Sequence, residues 1–117
     1  MSWDVSIVSE KPIEIESHQE GGVICMGGSS EPSMSVTYNY SPLYHLAGLD
    51  FRSLNGLGVE QAIKTLDYAI EKLVGPVYEK DYWAPTPGNA CKALEVIREW
   101  CRCAFAQGLT DAYVVVR

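Results

Sequence analysis

The sequence predicts an α+β domain: a small, mainly antiparallel sheet, made of an N-terminal meander and a C-terminal strand, with two long helices packed on one face. Three observations carry that expectation. Apolar residues alternate at period two through much of the first forty positions, they recur at helical spacing between Ile63 and Ala104, and an unbroken apolar run closes the chain. A length of 117 residues fits a single domain, residues 1–117, with no room for a second core.

The elements follow in order. Val5-Ser6-Ile7-Val8 is a short β-rich run, and Ile13-Glu14-Ile15-Glu16 alternates apolar with acidic side chains. Pro12, between them, marks a turn or the start of a strand. Gln19-Glu20-Gly21-Gly22 reads as a turn before Val23-Ile24-Cys25-Met26. The stretch Gly27-Gly28-Ser29-Ser30-Glu31-Pro32 is expected to be an exposed loop, with a further strand over Met34-Ser35-Val36-Thr37-Tyr38-Asn39.

The period then changes. Ser41-Pro42 has the form of an N-cap followed by proline at the first helical position, where the missing N–H costs nothing. Leu43 to Ala47 makes a short helix that Gly48 stops. After the turn Leu54-Asn55-Gly56-Leu57-Gly58, a longer helix carries Ile63, Leu66, Ile70 and Leu73 as one apolar stripe, closed by Gly75-Pro76. Thr86-Pro87 repeats the cap-and-proline device. The last helix has Ala90, Ala93, Leu94, Ile97, Cys101 and Ala104 on its buried face and Asn89, Lys92, Glu95, Glu99 and Arg102 on its wet one. Gly108 ends it, and Ala112-Tyr113-Val114-Val115-Val116 returns as a strand whose continuous apolar run suits the centre of the sheet.

Charge narrows the function. Nine basic and fifteen acidic side chains give a net −6, and residues 1–58 alone hold −5. A phosphate backbone recruits clustered Lys and Arg, so a nucleic-acid polymer is not an expected partner. The acidic first half would repel polyanions and could face a basic protein. The longest uncharged run, Pro32 to Leu49, is too polar to cross a bilayer, so no membrane partner is expected either.

Catalytic and metal patterns are missing. There is no G-x-S-x-G, P-loop, G-x-G-x-x-G or H-E-x-x-H. Gly21-Gly22 and Gly27-Gly28 lack a following helix to cradle phosphate, and nothing brings Cys25 to His45 as a nucleophile and base. The four cysteines, Cys25, Cys91, Cys101 and Cys103, form no C-x-x-C pair, and His18 and His45 stand far from most of them in sequence. Cys101 and Cys103 would point about 200° apart on a helix. Reduced thiols, no metal and no cofactor are the expectation, in a non-enzymatic protein of a reducing cytoplasm.

Two segments hold the polar and aromatic groups that a ligand would use: Thr37 to His45, and Asp81 to Asn89. Each places aromatics, an amide and a hydroxyl at a helix start, where unpaired N–H groups favour an anion and a Tyr or Trp face can stack on a planar ring. The candidate ligand-binding residues are Asn39, Tyr40, Ser41, Tyr44, His45, Trp83, Thr86 and Asn89, expected to converge within a protomer or across a homo-oligomer interface. The competing reading makes Ser41 and Thr86 plain caps and the aromatics plain core.

The run Val36-Thr37-Tyr38-Asn39-Tyr40-Ser41-Pro42-Leu43-Tyr44, with Gly48, Leu54-Asn55-Gly56 and an Ala62, Leu66, Ala69-Ile70 helix behind it, resembles a family of small phage and actinobacterial proteins. Members typically read T-x-N-V-S-P-M-(W/Y) at this point. The likeness runs over about residues 34 to 116, including the closing Asp111 to Val116 segment. Tyr40 and Leu43 stand where the family often has Val and Met, Trp83 to Asn89 replaces a commoner Gly-Trp-Gly-x-Tyr-like stretch, and residues 1–33 lie outside the likeness. The resemblance implies a phage-type origin, hence a host cytoplasm, but no activity.

Two functions are therefore expected in competition. One is a binding protein for a small anionic, nucleotide-derived ligand, of the kind by which phages sequester immune signals. The other is an inhibitor or adaptor that binds a host protein through the acidic β half.

Overall fold

The computed structural model describes residues 2–11, 13, 19–20, 23–24, 33–73 and 85–117. The fold is α+β. Strand β1 (Ser2–Val8) is followed by the two-residue strands β2 (Gln19–Glu20) and β3 (Val23–Ile24), then β4 (Ser33–Thr37). Helices α1 (Ser41–Leu46), α2 (Val59–Leu73) and α3 (Pro87–Ala106) come next, and strand β5 (Tyr113–Val116) closes the order. Two 3-10 turns, Tyr38–Tyr40 and Phe51–Leu54, flank α1.

The main sheet runs β4-β1-β5 with both pairings antiparallel, while β2 and β3 pair separately. Trp3 lies opposite Val36, Val5 opposite Val116 and Met34, and Ile7 opposite Val114. Trp3, Val5 and Ile7 turn one way and are buried, whereas Asp4 between them is exposed. That alternation is what a half-covered strand requires. The buried face joins α2 and α3, which pack on one another, in one core with Leu66, Leu94, Ile97 and Trp100.

Helix α3 follows its sequence signals. Thr86 caps it by accepting the Asn89 N–H at 3.2 Å, Pro87 fills the first position, and Gly108 leaves it at φ 78°. Its expected buried face is buried throughout. On α2 the stripe is broader than expected. Val59, Ala62 and Ala69 join Leu66, Ile70 and Leu73, and Ile63 drops to a half-buried position beside it. Arg98 on α3 donates to Asp67 on α2 at 2.9 Å, with Arg102 at 3.7 Å, tying the two helices together outside the core.

Four local expectations change. Gln19–Glu20 is a strand of a hairpin instead of its turn. The strand expected to reach Asn39 stops at Thr37, because the chain tightens into the 3-10 turn there. That turn runs straight into α1, so Ser41 lies inside the helix and Tyr40 occupies the N-cap position without a side-chain capping bond. The capping is done earlier, by Thr37 Oγ1 accepting the Asn39 N–H at 3.2 Å. The fourth change concerns β5, which borders the sheet while β1 takes the centre.

The apolar run of β5 has a different cause from the one expected. Its outer side is closed by the irregular backbone of residues 55–59. Gly56 N donates to Val114 O at 2.7 Å, Val114 N to Leu57 O at 2.9 Å, and Val59 N to Ala112 O at 3.0 Å. The Asn55 side chain accepts Val116 N at 2.9 Å. Buried ladder groups need partners of some kind, and a turn supplies them here as well as a strand would. At the other end, Asp111 accepts from Ser9 Oγ at 3.2 Å and from Glu10 N at 2.8 Å, pinning the exit of β1 beside the approach to β5. The expected helix stop at Gly75-Pro76, Trp83, Cys25 and most of the strands expected over 13–16 and 23–26 lie outside the described residues.

Candidate functional site

The first segment singled out in the sequence reaches the residue that follows the second, and it does so through the interior. Tyr44, from α1, donates its hydroxyl hydrogen to the carbonyl of Ala90, in the first turn of α3, at 3.0 Å. The Tyr44 ring stacks on Phe51 with centroids 5.3 Å apart and planes 16° apart, and Phe51 stacks on Trp3 at 4.4 Å and 24°. Tyr40 meets Tyr44 edge-on at 6.0 Å, and Tyr38 meets Trp3 edge-on at 4.8 Å. A column of aromatic rings thus fills the space between the sheet, α1 and the start of α3.

This arrangement corrects part of the expected site. Tyr40 and Tyr44 are 0% and 1% exposed, and their faces are covered by protein. Asn89, expected on the wet side of α3, is also 0% exposed, because the first turn of α3 lies against α1. Thr86 is half-buried and caps. Asn39, Ser41 and His45 remain exposed around α1, and Trp83 lies outside the described residues. The convergence is therefore packing among the aromatics, with three polar side chains at its rim.

Another concavity lies at the opposite end of the helical layer. It is an open groove of about 400 Å³, floored by Gly58 and the first turn of α2 from Val59 to Gln61. Lys64 stands one turn further along, and Phe105 and Thr110 form the facing wall where α3 ends. The volume falls within the range of small-molecule sites, roughly 300–1,000 Å³. Val59 and Ala62 place their N–H groups on Ala112 O and Gly58 O. The amides of Glu60 and Gln61, between them, belong to the turn that lacks intrahelical partners. Lys64 adds a cation, Glu60 a carboxylate at the mouth, and Phe105, 46% exposed, an aromatic face.

The sequence holds a faint signal for this groove. Gly56-Leu57-Gly58 precedes a long amphipathic helix, and Phe105 is the one aromatic side chain in the last turn of α3. What no local pattern reveals is that these two places face each other.

Nucleophilic chemistry has little to work with among the described residues. Burial, with a hydrogen bond to Glu95 second, pushes the Cys91 thiol up to about 11, and burial alone pushes Cys101 up to about 12. Cys103 is raised as well, by burial and then by Glu99. All three are free thiols and stay protonated at neutral pH, the inert form. Among the described residues no three His, Cys, Asp or Glu side chains gather as a metal site, and no helix is long and apolar enough to cross a membrane. No family model matches the chain, and neither a curated protein nor a solved structure does.

Proposed function

We propose that the chain is a non-enzymatic binding protein for a small ligand that combines a planar ring with an anionic group, taken in the groove at the start of α2. The observation that carries this reading is the composition of the groove. The first turn of α2 and Lys64 line it together with the exposed ring of Phe105. Nucleotide-derived signals have that chemistry. Sequestration of such a signal by a phage protein is the finer form of the proposal, and it rests on the sequence resemblance alone.

Binding to the folded state raises the melting temperature by mass action, so a thermal-shift panel of nucleotides and cyclic dinucleotides is the direct test. Lys64→Glu and Phe105→Ala should each abolish the shift without lowering the melting temperature of the free protein by more than about 2 °C, since both side chains are solvent-facing. A flat panel sinks the reading. So does a shift that survives both substitutions but is lost in Asn39→Ala with Trp83→Ala, which would return the site to the helix starts first identified in the sequence.

One observation favours a protein-contact reading instead, although on the helices and not on the acidic β half first expected to carry it. Leu46, at the end of α1, is 87% exposed, and Tyr68 on α2 is 58% exposed, its ring beside the exposed Gly48. Large exposed apolar side chains, where they gather, mark protein contact surfaces. Loss of a host-protein partner in a Leu46→Glu variant, with ligand shifts absent throughout, would establish this second function.

A further inference from the structure

We infer that Asn55 is a deamidation site which the native fold keeps closed, so that its hydrolysis is set by the fraction of molecules in which residues 55–59 are detached from β5. An asparagine followed by glycine is the dipeptide in which the following main-chain nitrogen reaches the side-chain carbonyl most freely, because glycine has no Cβ to obstruct the approach. Asn55 and Gly56 are both exposed, and no atom lies within 4 Å of the place where a Cβ on Gly56 would stand. Sterically and by access to water, the pair is ready to react.

The hydrogen bonds hold it back. Attack requires the Gly56 nitrogen to lose its proton and turn toward the Asn55 side chain. That proton is committed to Val114 O at 2.7 Å. The Asn55 side-chain carbonyl, the electrophile, is fixed by Val116 N at 2.9 Å. Asn55 also has an extended ψ of 124°, from which the backbone must rotate before the ring can close. Three restraints on one reaction all belong to the same seam, and all are released together when the seam opens.

The chemistry needs only hydroxide and water. The Gly56 nitrogen forms a bond to the Asn55 Cγ, the bond from Cγ to Nδ2 breaks, and ammonia leaves carrying the proton surrendered by the amide. Water then opens the cyclic imide at one of its two carbonyls. Opening at one gives aspartate, which still presents an oxygen to Val116 N. Opening at the other gives isoaspartate, which lengthens the main chain by a methylene at the position where Gly56 must meet Val114. The second product cannot close the seam again.

The test is peptide mapping of the full chain incubated at mildly alkaline pH, folded and in urea, with hydrogen exchange at the Gly56 amide measured in parallel. In urea, Asn55 should deamidate ahead of Asn39 and Asn89, which precede Tyr40 and Ala90, with isoaspartate exceeding aspartate. In the folded chain it should be slower by about tenfold or more, in proportion to Gly56 exchange protection, since opening must come first. Val116→Pro removes one restraint and should speed the reaction if the variant folds. If it does not fold, its rate should equal that in urea. Equal rates at Asn55 in the folded and unfolded wild-type chains, or slow Gly56 exchange alongside fast deamidation, would overturn the inference.

Discussion

Phe51→Ala should be among the most damaging single changes in the protein. Phe51 sits between Trp3 and Tyr44, stacked on both at 4.4 and 5.3 Å, and is 2% exposed. Truncation removes a ring from the middle of the aromatic column and leaves a gap whose walls are themselves rigid rings, the circumstance in which relaxation is least effective. Phe→Ala at such a site costs about 3–5 kcal/mol. With an unfolding entropy of roughly 2.1 cal/mol/K per residue, 117 residues give about 4 °C per kcal/mol, hence a fall in Tm of about 12–20 °C. Urea denaturation followed by far-UV circular dichroism, with the slope m unchanged, would measure it. Tyr44→Phe isolates the hydroxyl bond to Ala90 O and should cost only about 0.5–1.5 kcal/mol. A loss below about 1 kcal/mol for Phe51→Ala would mean that the rings do not form a packed column, and the assignment of Tyr40 and Tyr44 to the core would fall with it.

Two further outcomes follow from burial. Leu66→Ala and Ile97→Ala, both fully buried on the facing helices, should each cost about 2–5 kcal/mol in the same assay. Cys101 should resist alkylation in the native state until pH approaches its value of about 12. Its folded value lies above the ordinary 9.0, so the stability it contributes is complete below about pH 9 and is lost as pH rises toward 12. Rapid labelling of Cys101 at pH 8 without unfolding would contradict its placement.

The legible parts of the fold are those whose signals are local. Thr86-Pro87 and Gly108 bracket α3 in the sequence as they do in the structure, because a cap and a left-handed terminator act within a few residues. The 3-10 turn Phe51–Leu54 left no pattern, being too short to show a period, and with it the central ring of the aromatic column was missed. Val114 to Val116 read as a central strand because an apolar run records that a strand is covered but not what covers it. Asn89 fell on the wet side of the helical wheel, and only the packing of the start of α3 into the rest of the fold buries it. The groove was beyond reach for the same reason, since Lys64 and Phe105 come together only once α2 and α3 have packed.

The central position of β1 has a consequence for the order of assembly. One of its neighbours, β4, follows within the same half of the chain, but the other, β5, is paired through Val5 with Val116 and Ile7 with Val114. A ribosome must therefore deliver almost the whole described chain before the middle strand of the sheet acquires its second partner. Until then one side of β1 offers free backbone groups to any extended segment nearby, including another nascent copy. The α2 and α3 helices are neighbours in sequence and can associate beforehand, whereas β5 must close the longest loop in the molecule at the last step. Late pairing of β1 with its second neighbour is built into the strand order.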